Sequence, residues 1–299
     1  MASAPPSPRS GLATLALIGV TATWGSTFFL IKDLLDRVPV LDFLAVRFAI
    51  ATVVLVLVAP KAVSRLSPRA RWHGITLGLV YGVAQILQTT GLGHTSASVS
   101  GFVTGMYVVL TPVFGAALLR QRIGRLTWVA VALATAGLAV LSLRGFAVGY
   151  GEALTFVAAM LYAVHILGLG AWSTQRDALG LSVLQMAVIT VVCMAASAPD
   201  GIVLPSRADD WVAIVYMALV AGALALLAQT WAQAHLTATR AAIVMTMEPV
   251  FAAFFAVLLG GELLTLRMLL GGGLVLAAMY LVELLPRRKV EGEVQHLVV

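Results

Sequence analysis

The chain runs to 299 residues, 61% of them hydrophobic and only 11% charged, with a mean hydropathy of +0.99. A soluble domain carries about 25% charged residues, and so few polar groups could not cover the surface of a water-exposed fold. A soluble enzyme, a disordered chain and a nucleic-acid-binding domain are therefore excluded. The net charge of +6 sits between apolar stretches and forms no continuous basic stripe, a pattern that orients a membrane protein.

In chain order, a short polar, Pro-rich tail (1–10) leads into an apolar stretch too long for a signal sequence, so it reads as a retained first span. A bilayer-crossing helix needs about 20 mostly apolar residues. Ten such segments follow: 11–31, 40–60, 73–91, 98–119, 126–143, 151–172, 180–199, 210–232, 239–260 and 266–285, with a second tail over 286–299. The uncharged run from His73 to Leu119 is too long for one span and must fold back near Gly91–Ser98, where Gly, Thr and Ser supply turn chemistry. The expected fold is an all-α integral membrane protein of ten transmembrane helices. With the N-terminus inside, thirteen Lys and Arg collect on the inner side and five (Lys32, Arg37, Arg144, Arg207 and Arg267) on the outer. Both termini are thus expected in the cytoplasm. Cys193, the single cysteine, lies in an apolar run and reads as a small core residue.

The two halves echo each other. His94-Thr95-Ser96-Ala97-Ser98 returns as His235-Leu236-Thr237-Ala238-Thr239, and Thr111-Pro112-Val113-Phe114 as Glu248-Pro249-Val250-Phe251. Each half then has a polar break (Arg122 onward, Glu262 onward) and a last Gly/Ala-rich span. A five-span unit repeated once must lie upside down in its second copy, so 11–143 and 150–285 read as inverted repeats, an arrangement that places transporter sites at the midplane.

Several stretches carry a resemblance: TATWGSTFFLIK and AVRFAIA in the first two segments, QTTGLGHTSASVSGFVTGMYVVLTPVFGAAL in the third and fourth, and ATRAAIVMTMEPVFAAFFAVLLGGELL in the ninth. They resemble the EamA family of the drug/metabolite transporter superfamily over about residues 12–285. The resemblance implies a ten-helix bundle with a central cavity between two five-helix halves, and an export function like that of YddG-like amino-acid and metabolite exporters. The first segment lacks the glutamate on which small multidrug exporters of that superfamily depend, so their proton exchange chemistry is not expected.

No GxxxxGK[ST] loop, HExxH pair or GxSxG elbow is present, so ATP hydrolysis and membrane proteolysis are not expected, nor any cofactor or metal. Trp72, Trp128, Trp172, Trp211 and Trp231 fall near segment ends, where an interfacial belt explains them. Trp24, Tyr81, Tyr107 and Tyr162 fall mid-segment, where hydrocarbon cannot satisfy their polar atoms. Tyr81, Gln85 and Gln88 share one helix face, as do Tyr162 and His165. These seven residues are the candidate substrate-binding set, although bonds between helices would also explain the amides and His165. Such bonds are the preferred reading for Gln229 and Gln233.

Arg47 and Glu248 are charges inside segments, each needing a partner or water. Pro249 frees the carbonyl of Met245 and loosens the helix beside Glu248. Glu248, Arg47, Pro112 and Pro249 are the candidate coupling or gating residues, with a static, hydrogen-bonded Glu248 equally open. Gly74, Gly78 and Gly82 form a small-residue stripe for helix packing.

The reading is a secondary transporter of the inner membrane that exports small metabolites, amino acids first, by alternating access. The scarcity of midplane cations argues against phosphorylated substrates. Drug-like compounds, nucleotide sugars, and a lipid-linked flippase or partner subunit are the alternatives. Its partners are the lipid bilayer and the small-molecule solute, with no nucleic acid, and a monomer is the simplest assembly.

Overall fold

In a computed structural model, residues 8–95, 97–120, 124–142, 149–259 and 263–284 are described, and among them every regular element is helical. The second tail, residues 1–7 of the first and the polar breaks at Arg122 and Glu262 lie outside them, while residues 8–10, expected in the first tail, begin the first helix. The helices are α1 (Pro8–Leu34), α2 (Val40–Val58), α3 (Pro68–Gly93), α4 (Ala97–Gly105), α5 (Tyr107–Leu119), α6 (Arg125–Ser142), α7 (Tyr150–Trp172), α8 (Ala178–Ser197), α9 (Ala208–Ala218), α10 (Ala225–Gln233), α11 (Ala238–Met245), α12 (Met247–Leu258) and α13 (Leu266–Leu284). A π-helical turn, Leu219–Leu224, joins α9 to α10.

Among the described residues, seven helical stretches are long and apolar enough to cross a membrane: Arg9–Leu34, Val40–Val58, Pro68–Gly93, Tyr150–Trp172, Ala178–Ser197, Ala208–Gln233 and Ala238–Phe255. The other three expected segments carry shorter apolar helices, Val103–Leu119, Arg125–Gly137 and Leu269–Ala278. Large apolar side chains cover the outside, Val58 at 76% and Val191 at 67% exposed. Such a surface is stable against hydrocarbon and costly in water.

Local chemistry sets the ends. Ser67 caps α3 by accepting the Ala70 N–H, with Pro68 placed where a missing donor costs nothing. Thr237 does the same for α11. The expected fold-back after α3 falls between Gly93 and Ala97. Two expected segments are broken instead of continuous, at Met106 between α4 and α5 and at Thr246 between α11 and α12. At both, the backbone tightens to bonds three residues back, Met106 N to Val103 O at 3.1 Å and Thr246 N to Ile243 O at 3.1 Å. Pro249 accounts for the second break, because its ring collides with the turn before it and it has no N–H for Met245 O.

The helices sort into a mutual pattern. α3 packs on α7 and α8, α1 packs on α10 and α12, α2 on α8 and α9, α4 and α5 on α7, and α6 on α13. Glycine sets two of the closest crossings. A Cβ at Gly25 would lie 2.7 Å from Ala252 N and 2.9 Å from Glu248 O, so α1 reaches α12 only because Gly25 has none. Gly91 and Gly151 each face the other's carbonyl, at 2.6 and 2.7 Å from a built Cβ, where α3 crosses α7. The Gly74/Gly78/Gly82 stripe faces Leu184, Val188 and Val192 of α8.

Loop contacts divide the bundle into two ends. At one, Arg9 bonds Gln175 at 3.1 Å and Arg71 bonds Ser64 O at 3.1 Å. At the other, Lys32 Nζ donates to the carbonyls of Leu92, Gly93 and Thr95 at the end of α3 (3.0, 3.3 and 3.0 Å). There, too, buried Asp42 bonds Ser197 and the Val203 N–H. Arg37 lies between Asp33 (2.6 Å) and Asp210 (2.7 Å), joining α1 to α9. The hydrogen bonds it donates to these two carboxylates raise the affinity of its guanidinium for its proton.

Candidate functional site

Near mid-bundle, side chains of α1 to α5, α7, α10, α11 and α12 surround one cavity. Its lining climbs α1 from Trp24 to Ile31 and α3 from Tyr81 to Leu92, towards the end held by Lys32. The centre of a water-sized sphere can occupy about 50 Å³ of it. One water needs ~10–15 Å³ on that measure, so this conformation holds a few waters and must widen for a larger solute.

One wall is an amide and phenol network between α3 and α7. The Tyr162 hydroxyl accepts from Gln85 Nε2 at 2.8 Å and donates to Gln88 Oε1 at 2.7 Å. Gln88 Nε2 donates to Thr104 Oγ1 on α4 at 3.0 Å. The Tyr81 ring meets Tyr162 edge-on at 5.5 Å and His165 at 4.8 Å. His165 Nε2 pairs with Gln185 Oε1 of α8 at 2.8 Å. With Gln85, Gln88, Tyr162 and His165 all hydrogen-bonded, such a network is rigid and its orientation is fixed.

Another part of the lining is built on irregular backbone. The carbonyl of Met245, released by Pro249, accepts the Tyr107 hydroxyl at 2.7 Å, and the same hydroxyl lies 3.3 Å from Glu248 Oε2. At the π-helical turn, Trp24 Nε1 donates to Ala221 O at 2.9 Å. Just before that turn, Arg47 Nε donates to Met217 O at 3.1 Å. The Arg47 guanidinium also lies 5.1 Å from the Phe48 ring and 5.8 Å from that of Phe43. π-helical turns concentrate at functional sites because they offer carbonyls an α-helix would use internally.

The structure brings together Trp24, Tyr81, Gln85, Gln88, Tyr107, Tyr162, His165, Arg47 and Glu248 on this one cavity. Pro112 and Pro249 are buried outside its lining, and Pro249 acts on it through Met245 O. Arg47 and Glu248 share the cavity without an ion pair between them among the described residues.

Sequence reasoning missed Gln229, which it took for a bond between helices. Gln229 lines the cavity, its Nε2 donating to Gln233 Oε1 at 3.1 Å. Gln233, in turn, donates to Ile166 O of α7 at 2.9 Å, the expected bond between helices. Thr27, Phe28, Thr89, Thr104 and Met245 were missed as well. Threonine, phenylalanine and methionine carry no signal that separates a cavity face from a packed one. The depth of Gln229 in an apolar helix was the signal available.

A polar, buried cavity inside a helical bundle with an apolar exterior defines a class, a multi-pass membrane protein enclosing an internal site. The sequence model of the EamA-like transporter family matches residues 11–143 and again 149–284, and the chain belongs to that family. It is 29% identical over 283 residues to an uncharacterized transporter of Archaeoglobus fulgidus, covering 92% of this chain and 85% of that one. It is 26% identical over 278 residues to the uncharacterized inner membrane transporter YedA of Escherichia coli, covering 90% of each. A crystal structure superposes with a TM-score of 0.77 over 93% of this chain and 98% of its own, at 18% identity, a likeness of fold alone.

Proposed function

We propose that the chain is a secondary transporter of the inner membrane that exports small metabolites, amino acids first, by alternating access between two inverted five-helix halves. In this reading ten spans cross the membrane and both termini lie in the cytoplasm. The observation that carries it is the convergence of nine sequence-selected polar and aromatic side chains from both halves on one buried cavity.

Four further observations support it. The family model matches the chain twice, once per half. The major packings that join the halves also come in mates. α3 on α7 corresponds to α1 on α10, α3 on α8 to α2 on α9, and α1 on α12 to α4 and α5 on α7, as a two-fold relation between halves requires. The broken helices α4–α5 and α11–α12 occupy matching places in the two halves and supply Tyr107 and Glu248 to the cavity. A lining rich in rings and amides, with one guanidinium and one carboxylate, suits a zwitterion with an apolar side chain better than a phosphorylated solute.

The test is counterflow into proteoliposomes with a panel of labelled amino acids, with and without an imposed pH gradient. Accumulation of particular amino acids is expected; its absence across the panel overturns the amino-acid reading. Trp24→Ala and Gln85→Ala should each reduce that flux at least tenfold at equal reconstituted density while the purified proteins stay folded. Wild-type flux in both removes the cavity from the transport path.

A further inference from the structure

The amide pair Gln229–Gln233 points at something the cavity lacks. Gln233 Nε2 donates to Ile166 O at 2.9 Å, so its Oε1 must face Gln229 as an acceptor. Gln229 can answer only with its Nε2, at 3.1 Å, because the flipped amide would set two carbonyl oxygens against each other. The same Nε2 lies 3.8 Å from Met245 Sδ. Gln229 Oε1 is thereby fixed as an acceptor, is buried and has no partner, on a side chain 2% exposed that lines the cavity. A buried acceptor left unpaired by such a relay is a group waiting for a donor.

Two other residues of the lining sharpen the chemistry. Through Met245, whose carbonyl holds Tyr107, the relay leads to Glu248, a carboxylate with one 3.3 Å bond on Oε2. Elsewhere on the lining, Arg47 is 4% exposed and forms no ion pair among the described residues. The site thus holds acceptors in one part and, in another, a cation with no carboxylate partner among the described residues.

We propose that Gln229 is the amine-recognising residue of this site, its Oε1 accepting from the ammonium group of an amino-acid solute whose carboxylate is drawn to Arg47. Glu248 adds negative charge beside the ammonium, and Gln233 is a positioning residue that keeps the Gln229 oxygen turned to the solute. This inference rests on the amino-acid reading above and adds to it the orientation of the solute.

The experiment compares L-leucine, L-methionine and L-phenylalanine with 4-methylpentanoate, 4-(methylthio)butanoate and 3-phenylpropanoate, the same skeletons without the amine. Each is measured as a competitor of amino-acid counterflow and as a stabiliser in thermal unfolding of the purified full chain. Wild type should prefer the amino acids at least tenfold. Gln229→Met, close in shape, should shrink that preference to threefold or less, Gln233→Met should shrink it in part, and Gln229→Glu, which as the protonated acid donates to Gln233 Oε1 and keeps its other oxygen as the acceptor, should preserve it even where the Met variant fails to fold. A Gln229→Met preference equal to wild type, a Gln229→Glu protein that has lost it, or a wild type indifferent to the amine overturns the assignment of Gln229. Failure of the wild type to take any of the six overturns the amino-acid reading itself.

Discussion

Glu248 shows how much one residue asks of its surroundings. It is 5% exposed, has Tyr107 as a hydrogen-bond partner at 3.3 Å, and stands beside a proline that deprives the helix of a donor. A buried carboxylate so lightly held is costly when charged, so an exchangeable proton there is an economical way to couple transport to a gradient. Glu248→Gln keeps the volume and the acceptor for Tyr107 while removing the charge. Counterflow of amino acids should weaken without being lost in this variant, because the charge beside the solute's ammonium is gone, and the effect of an imposed pH gradient on accumulation should vanish. A variant that still follows the gradient as wild type does assigns Glu248 to structure alone. Tyr107→Phe tests the other side of the bond, since it strips the partner from both Met245 O and Glu248. Losing a hydrogen bond to buried groups costs ~1–3 kcal/mol, and the midpoint of thermal unfolding should fall accordingly.

At the scale of helices, most of the fold was legible in the sequence because length and apolarity decide a membrane helix. α7, expected over 151–172, spans Tyr150–Trp172, and α8, expected over 180–199, spans Ala178–Ser197. What was not legible is where a helix gives way. The break at Met106 lies six residues before Pro112 and that at Thr246 three before Pro249, so proline marks the neighbourhood and packing chooses the residue. The π-helical turn at Leu219–Leu224 has no sequence signature of its own, since Val220-Ala221-Gly222 reads as ordinary apolar helix. For the site, the polar residues isolated in apolar surroundings could be found, because hydrocarbon leaves them few alternatives. Which helix faces which could not. Gly25 makes that point testable. Gly25→Ala should push α1 off α12 at a cost of about 1–3 kcal/mol, the usual penalty for overpacking, and should slow transport with it. Gly19 on the same helix has nothing within 4 Å of a built Cβ. Gly19→Ala should therefore leave transport unchanged and stabilise the helix by up to ~1 kcal/mol. Equal unfolding midpoints for the two variants would refute the tight α1–α12 crossing.

For the whole molecule, the decisive quantity is which end of the cavity faces which compartment. The lining reaches from Trp24 and Tyr81 to Ile31 and Leu92, the end where Lys32, Arg37 and Asp210 tie α1 to α3 and α9. The opposite end carries Arg9, Arg65, Arg71 and Arg176, four of the thirteen basic residues that the positive-inside rule assigns to the cytoplasm. On the proposed orientation, the cavity lining extends towards the outer end, which the Lys32 and Arg37 contacts hold together, with the amide relay of Gln229 and Gln233 on its cytoplasmic side. Arg37 then belongs to the outer gate, because it bridges the two halves through Asp33 and Asp210. Cysteine labelling reads this directly. Cys193 is fully buried and chemically sheltered, so Cys193→Ser gives a silent background. In intact cells a membrane-impermeant maleimide should modify Arg207→Cys, whose native side chain is 58% exposed. It should leave Arg65→Cys untouched until the membrane is opened. The reverse pattern would turn the bundle over, so that the lining extends towards the cytoplasm and the Arg37 cluster is a cytoplasmic gate. Labelling of both sites in intact cells would contradict the placement of the α2–α3 and α8–α9 connections on opposite faces, on which the ten-span reading depends.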